Sequence, residues 1–222
     1  MTIASWLRRR RAVTLVIDDG PSEVTDNLLA RLERGGHRAV LFVLGCNVPG
    51  REAILVDALR RGFALGNHSF NHHPFSAIEV EAARAEIATT ERLIDAVYAE
   101  ARVQRPGRWF RFPYLDTGAE RFSALQGLLS DMGFERPPAV GRRLETEEAA
   151  RLDWPTTLST RDWSLPGEAA IRLALQEARD GDVIEFHDKP ETVGPYVGAL
   201  LEELASLGLK GAVPDRRTGW KQ

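Results

Sequence analysis

Apolar residues in this chain fall into short unbroken runs, separated by stretches in which they recur every three or four positions. Unbroken runs read as strands of a parallel sheet covered on both faces, and the recurring stretches read as amphipathic helices. The first run, 12–17, leads into Asp18-Asp19-Gly20-Pro21. A helix over 23–34 follows, with Leu28, Leu29 and Leu32 on one face and Gly35-Gly36 as its stop. The pattern repeats with a strand at 39–43 ended by Gly45, a helix at 51–61, and a short strand at 63–65 that runs into His68. A long helix is predicted over 76–101, where Ser76 and Glu79 have the spacing of a capping box. A fourth strand is expected at 108–112 and a helix at 119–132. The segment 135–168 is irregular and reads as one or two short strands within long loops. Order returns with a helix at 168–179, a strand at 182–186, a helix at 195–207 and a last strand near 209–213.

Strands alternating with helices predict a parallel sheet. About seven such units predict a distorted, closed or nearly closed (β/α) barrel, one domain over 1–222 with its core at about 12–213. An open doubly wound sheet is the alternative, and in both architectures a site forms at the C-terminal ends of the strands. Those ends carry Asp18-Asp19, His68, Arg111 with Tyr114, and His187-Asp188. Turn formation alone does not select so many chemically able residues on one rim.

Composition narrows the picture further. Among 222 residues, 43% are hydrophobic and 27% charged, and the net charge of −3 gives no reason to expect a nucleic-acid partner. The single cysteine, Cys46, excludes an intramolecular disulfide and a multi-cysteine zinc site, and its place after an apolar run predicts a small buried filler. His37, in a turn, is expected to be exposed. No run approaches the roughly 20 apolar residues of a membrane span. Arg8 to Arg11 follow an apolar start instead of preceding it, so the chain as written is expected to be cytoplasmic, or exported if cut from a longer precursor.

Asp18 and Asp19 stand at the mouth of a buried strand, where adjacent carboxylates repel each other. A bound cation would offset that cost, and an acidic turn in water is the plainer alternative. His68 and His72, four residues apart, would share a face on one helical turn and could grip such a cation with one aspartate. Positions left open for water would make the centre catalytic. His73 is the alternative to His72.

These residues also carry a family resemblance. Val16-Ile17-Asp18-Asp19-Gly20-Pro21, His68-Ser69-Phe70-Asn71-His72, Arg111-Phe112-Pro113-Tyr114, Asp162-Trp163 and Glu185-Phe186-His187 resemble, in order, the five motifs of the polysaccharide deacetylases, the NodB-type carbohydrate esterase family 4. The resemblance implies that Asp19, His68 and His72 hold a divalent metal, usually zinc, with cobalt or nickel in some members. It implies Asp18 as general base, paired with Arg111, and His187 as general acid, oriented by Asp162. Tyr114 would lend its backbone N–H to an oxyanion hole, and Pro113, Trp163 and Glu185 would face the substrate. The implied reaction is removal of N-acetyl groups from an acetylated amino-sugar glycan. Alternatives are O-acetyl ester hydrolysis, a degenerate barrel that binds glycan without turnover, and hydrolysis of a small cyclic amide or formamide.

Three departures stand out. Val16 and Ile17 replace a hydroxyl residue and an aromatic, and Ser159 replaces a further aspartate. Glu185 stands where the family has an apolar residue. Alternation along a strand puts Glu185 on the same face as His187, where it would reshape the acyl pocket or couple to His187. A rotation toward water or an arginine is the alternative.

Overall fold

The computed structural model describes residues 11–136, 151–160, 162 and 168–214. Trp163, expected to face the substrate, lies outside them, as do Arg8 to Arg10. The elements in order are β1 (Arg11–Asp18), α1 (Thr25–Arg34), β2 (Ala39–Val43), α2 (Glu52–Arg60), β3 (Ala64–Asn67) and α3 (Val80–Ala101). After these come α4 (Phe122–Asp131), β4 (Leu158–Ser159), α5 (Glu168–Leu175), β5 (Val183–His187), α6 (Val197–Ser206) and β6 (Leu209–Gly211). No described helix is long and apolar enough to cross a membrane.

Among the described residues, six strands form one parallel sheet in the order β3-β2-β1-β5-β4, with β6 pairing the start of β1. The sheet curls into a distorted barrel, and single residues complete the ring. Asn67 at the end of β3 bridges to Phe110, and Phe110 bridges to Asp153. The same stretch then pairs β5 through Leu158 and Ser159. The expected strand at 108–112 is therefore one bridge at Phe110. The open doubly wound alternative does not describe this closure.

Period-two alternation sorts side chains into two cores. Val13, Leu15 and Ile17 of β1, with Leu41, Val43, Leu65, Ile184 and Phe186, face outward to Leu28, Leu29, Leu32, Leu55, Leu59 and Ile94 on the helices. Val16, Val40, Phe42, Ala64 and Val183 face inward, around Trp109 and Trp154. Trp154 is fully buried, its ring centroid 5.4 Å from Phe42 and 5.1 Å from Trp109. Removing so large a ring from a filled interior leaves a cavity, so Trp154→Ala is expected to lower stability by about 3–5 kcal/mol, read by urea unfolding. A loss below about 1 kcal/mol would show that the interior collapses around the gap.

Three local expectations fail for identifiable reasons. Ser76 does not cap α3: its hydroxyl donates to Asp116 Oδ2 at 2.5 Å within a 3₁₀ turn, and the helix begins after Glu79, which makes no side-chain cap bond. His37 is buried, 5% exposed, and its Nδ1 accepts from the Gly211 N–H at 2.9 Å, joining the α1 exit to β6. Burial, with Lys210 and Arg38 nearby, pulls its pKa down to about 4. Cys46 is exposed instead of a core filler, because a 3₁₀ turn at Gly45–Asn47 follows β2.

Candidate active site

The inward positions of β1 and β5 continue past the apolar interior to the rim. On β1 Val16 is followed two residues later by Asp18, and on β5 Val183 is followed by Glu185 and His187. Parallel register sets Val16 beside Glu185 and Asp18 beside His187. The rim chemistry is thus the upper continuation of the layers that build the core.

Asp18 and Asp19 part company at the backbone. Asp18 ends the extended strand, whereas Asp19 takes a left-handed conformation at φ 71°, which sends its side chain elsewhere. The Asn47 amide donates to Asp19 O at 2.8 Å, and Leu44 N–H to Gly20 O at 2.9 Å, tying the turn to the end of β2. Gly20 is required by close approach: a Cβ there would lie 2.6 Å from Asp188 Oδ2. That carboxylate is engaged by the hydroxyls of Ser22 and Thr25 and thereby joins the β1 and β5 exits.

His68 and His72 lie on an irregular loop, not on the helical turn expected. Ser69 and His72 are left-handed at φ 68° and 61°. The loop is held from beneath, where Glu86 Oε2 accepts the N–H groups of Phe70 and Asn71 at 3.0 and 2.7 Å. Asn67 Oδ1 accepts Ser69 N–H at 2.9 Å, and its amide donates to Glu91 Oε2 at 2.9 Å. These folds bring both Nε2 atoms to Asp19 Oδ1, at 3.5 Å from His68 and 3.2 Å from His72. His73 is exposed and outside this cluster.

The donor set fits a divalent ion. Asp19 Oδ1 is buried without a hydrogen-bond partner, although two imidazole nitrogens face it. His68 Nδ1 lies 2.9 Å from Arg111 O, a group that can only accept, so Nδ1 carries the proton and Nε2 presents its lone pair. Burial lowers the His68 pKa and favours the neutral ring that coordination requires. Two imidazoles and one carboxylate suit zinc and its neighbours.

Beside this cluster lies a second set of charges. Arg111, buried, donates from Nε to Asp18 Oδ2 at 2.7 Å, from Nη1 to Trp154 O at 3.2 Å and from Nη2 to Thr156 Oγ1 at 2.5 Å. Asp18 Oδ1 is left buried and without a protein partner. Asp162 Oδ1 lies 2.7 Å from His187 Nδ1, and its Oδ2 accepts from His187 N–H and Thr192 Oγ1, each at 3.0 Å. Burial opposes the His187 cation, but the hydrogen bond and charge of Asp162, with Asp18 and Glu185, outweigh it and raise the pKa to about 9. Burial likewise opposes the Asp162 carboxylate, and His187 and Lys189 hold it below its ordinary value all the same.

The raised His187 value links stability to pH. The pairing contributes fully below the ordinary value of 6.5, and its contribution is lost as pH rises through about 9. Asp162→Asn removes the carboxylate charge that strengthens the hydrogen bond from the ring, leaving a neutral oxygen in its place. The alkaline limb of activity is expected to move to lower pH by about one to two units, read from the pH profile of kcat/KM. An unmoved limb would mean that His187 is not the titrating acid.

A cavity of about 400 Å³ opens over these groups, lined by Asp18, Asp19, His68, His72, Arg111, Glu185 and His187, with Phe112, Tyr114, Leu115 and Lys189 around them. Tyr114 is left-handed at φ 57° and 67% exposed, with its ring against His72 at a centroid distance of 4.4 Å. Pro113 is buried and opens the turn beneath it. Glu185 is also buried and lies between Arg111 and His187, so it points toward an arginine, not toward water. The two departures Ser159 and Glu185 are partners across β4 and β5. Sequence reasoning missed Glu86, Asn67, Thr156 and Lys189; their roles arise from long-range contacts that no local spacing signals.

Residues 8–132 match the family model described as "Polysaccharide deacetylase". The chain is 32% identical over 204 residues to a peptidoglycan-N-acetylmuramic acid deacetylase of Bacillus subtilis, matching 90% of this chain and 37% of that protein. It is 23% identical over 203 residues to a peptidoglycan-N-acetylglucosamine deacetylase of Bacillus cereus, matching 90% of this chain and 84% of that one. Among solved structures, a family 4 carbohydrate esterase from Streptomyces lividans in complex with acetate superposes with a TM-score of 0.75 at 24% identity. It covers 95% of this chain and 96% of that one.

Proposed function

The chain belongs to the polysaccharide deacetylase family, and from that premise we propose that it is a metal-dependent hydrolase that removes N-acetyl groups from an amino-sugar glycan of the peptidoglycan or chitooligosaccharide kind. The observation that carries the reading is the orphaned Asp19 Oδ1 facing two imidazole nitrogens, with a second buried orphan oxygen on Asp18 beside it. An ion held by Asp19, His68 and His72 would supply Lewis acidity toward an acyl oxygen and a more acidic water.

The chain's own groups do the rest. Asp18 Oδ1 has no competing partner and takes the proton of the attacking water, while Arg111 fixes the carboxylate through Oδ2. The Tyr114 N–H, on its left-handed turn at the cavity wall, is assigned to the developing oxyanion. An amine leaves poorly as an anion, so His187 supplies a proton to the nitrogen, and Asp162 keeps the ring turned and charged for that task. The exposed ring of Tyr114 at the cavity mouth gives a sugar an apolar surface to lie on.

Acetate release from N-acetylated chitooligosaccharides, peptidoglycan fragments and an O-acetylated xylan tests the reading. Release from the amino-sugar substrates is expected to vanish on chelation and return with added zinc or cobalt. Release from xylan alone would favour ester hydrolysis, and glycan binding with no release under any metal would favour a binding barrel.

A further inference from the structure

We propose that Glu185 is a positioning residue for the proton donor: with Asp162 it clamps the His187 ring from both sides and holds it as a cation between turnovers. The catalytic consequence rests on the deacetylase reading, whereas the clamp is a property of the free protein.

Both ring nitrogens of His187 face carboxylates. Nδ1 lies 2.7 Å from Asp162 Oδ1 and Nε2 lies 3.4 Å from Glu185 Oε1. A neutral ring has one N–H and one lone pair, so donating to Asp162 would turn the lone pair on the other edge toward a second carboxylate. A protonated ring presents N–H groups to both. Glu185 is 3% exposed and sits one inward position below His187, directly above the apolar interior, so water screens its carboxylate little. Its cross-strand partner Ser159 gives it a hydroxyl hydrogen bond.

The contact also closes a chain of charges that alternate in sign. From Asp18 it runs to Arg111 at 2.7 Å, to Glu185 at 3.8 Å, to His187 at 3.4 Å, to Asp162 at 2.7 Å and to Lys189 at 3.5 Å. Three cations and three anions balance only when His187 is protonated. Without Glu185, the Arg111 and His187 cations would face each other across a buried gap with Asp18 alone between them. Asp18, Glu185 and His187 also bring ligand atoms within 4.8 Å of one another, a spacing a second metal ion could use. Arg111 already stands against both of those carboxylates, and a proton on His187 completes the balance that an added divalent ion would upset. Burial, with the nearby Asp18 carboxylate, leaves the Glu185 carboxyl above its ordinary value, although Arg111, His187 and the Ser159 hydroxyl each draw it down.

The groups that face His187 and set its protonation are Asp162, Asp18 and Glu185, with Lys189 and Arg111 bound to those carboxylates. Nitrogen-15 NMR of the His187 ring, titrated in zinc-loaded wild type, Glu185→Gln and Glu185→Leu, reads the clamp directly. Gln keeps the shape of the side chain and removes the charge. Both variants are expected to titrate about one pH unit below wild type. The alkaline limb of kcat/KM should move with the ring, so that kcat at pH 8.5 falls about threefold while KM for an N-acetylated oligosaccharide stays put. Glu185→Asp should recover part of the shift.

An unchanged ring titration in Glu185→Gln overturns the clamp. So does a change in acyl-group preference with no change in titration, or a zinc content of two per wild-type chain that drops to one in Glu185→Gln. If the ring titration shifts as expected but no variant, wild type included, releases acetate, the deacetylase reading fails and the clamp stands.

Discussion

Asp18→Asn is expected to lower kcat/KM for acetate release by about 10³-fold in a protein that still folds. Asn has the shape of Asp, and its side-chain oxygen can still accept from Arg111 Nε, so the buried guanidinium keeps a partner. What the amide cannot do is take a proton from water. Because Asp18 Oδ1 has no protein partner, its loss removes chemistry without breaking a structural bond on that side. Activity measured alongside circular dichroism checks this, and a folded Asp18→Asn variant with more than about a tenth of wild-type activity would remove Asp18 from the role of base.

His187→Ala carries the other large effect, and that effect depends on the leaving group. On an N-acetylated sugar the departing nitrogen needs a proton, so the loss should reach about 10²–10⁴-fold. On p-nitrophenyl acetate the departing phenolate is stable unprotonated, and the loss should stay within about tenfold. Steady-state rates on the two substrates separate a proton donor from a residue that merely shapes the pocket. Equal losses on both would assign His187 to shape.

The strands that were most legible in the sequence share one property: most of their side chains meet an apolar surrounding on both faces. The runs at 12–17 and 39–43 are strands because each lies between the inner and the outer core, and a nearly unbroken apolar run records that double burial; 182–186 keeps the same two faces with Glu185 on the inner one. The rule that sites form at strand ends singled out Asp18, Asp19, His68, Arg111 and His187, which line one cavity. The stretch 108–112 mixes two arginines with three aromatics and pairs only at Phe110, where Asn67 and Asp153 each meet it at a single residue. Local pattern cannot register how many residues another segment brings to a strand.

The histidine loop shows the same limit at the site. Spacing suggested one turn of helix, but Glu86, on α3, captures two N–H groups of the loop and stabilises left-handed residues instead. Ser76 and His37 differ from expectation because Asp116 and Gly211, distant in sequence, claim their polar atoms. Glu185 is the instructive case. Alternation placed it beside His187, but only the structure supplies the Arg111 and Ser159 contacts that make a buried carboxylate tenable there.

The account depends on two adjacent carboxylates doing different work, Asp19 with the imidazoles and Asp18 with water. Zinc titration of wild type, Asp18→Asn and Asp19→Asn by calorimetry measures that division directly. Asp18→Asn should bind zinc within a few-fold of wild type, and Asp19→Asn should bind it at least about 100-fold more weakly. Equal loss of zinc affinity in both variants would contradict the assignment.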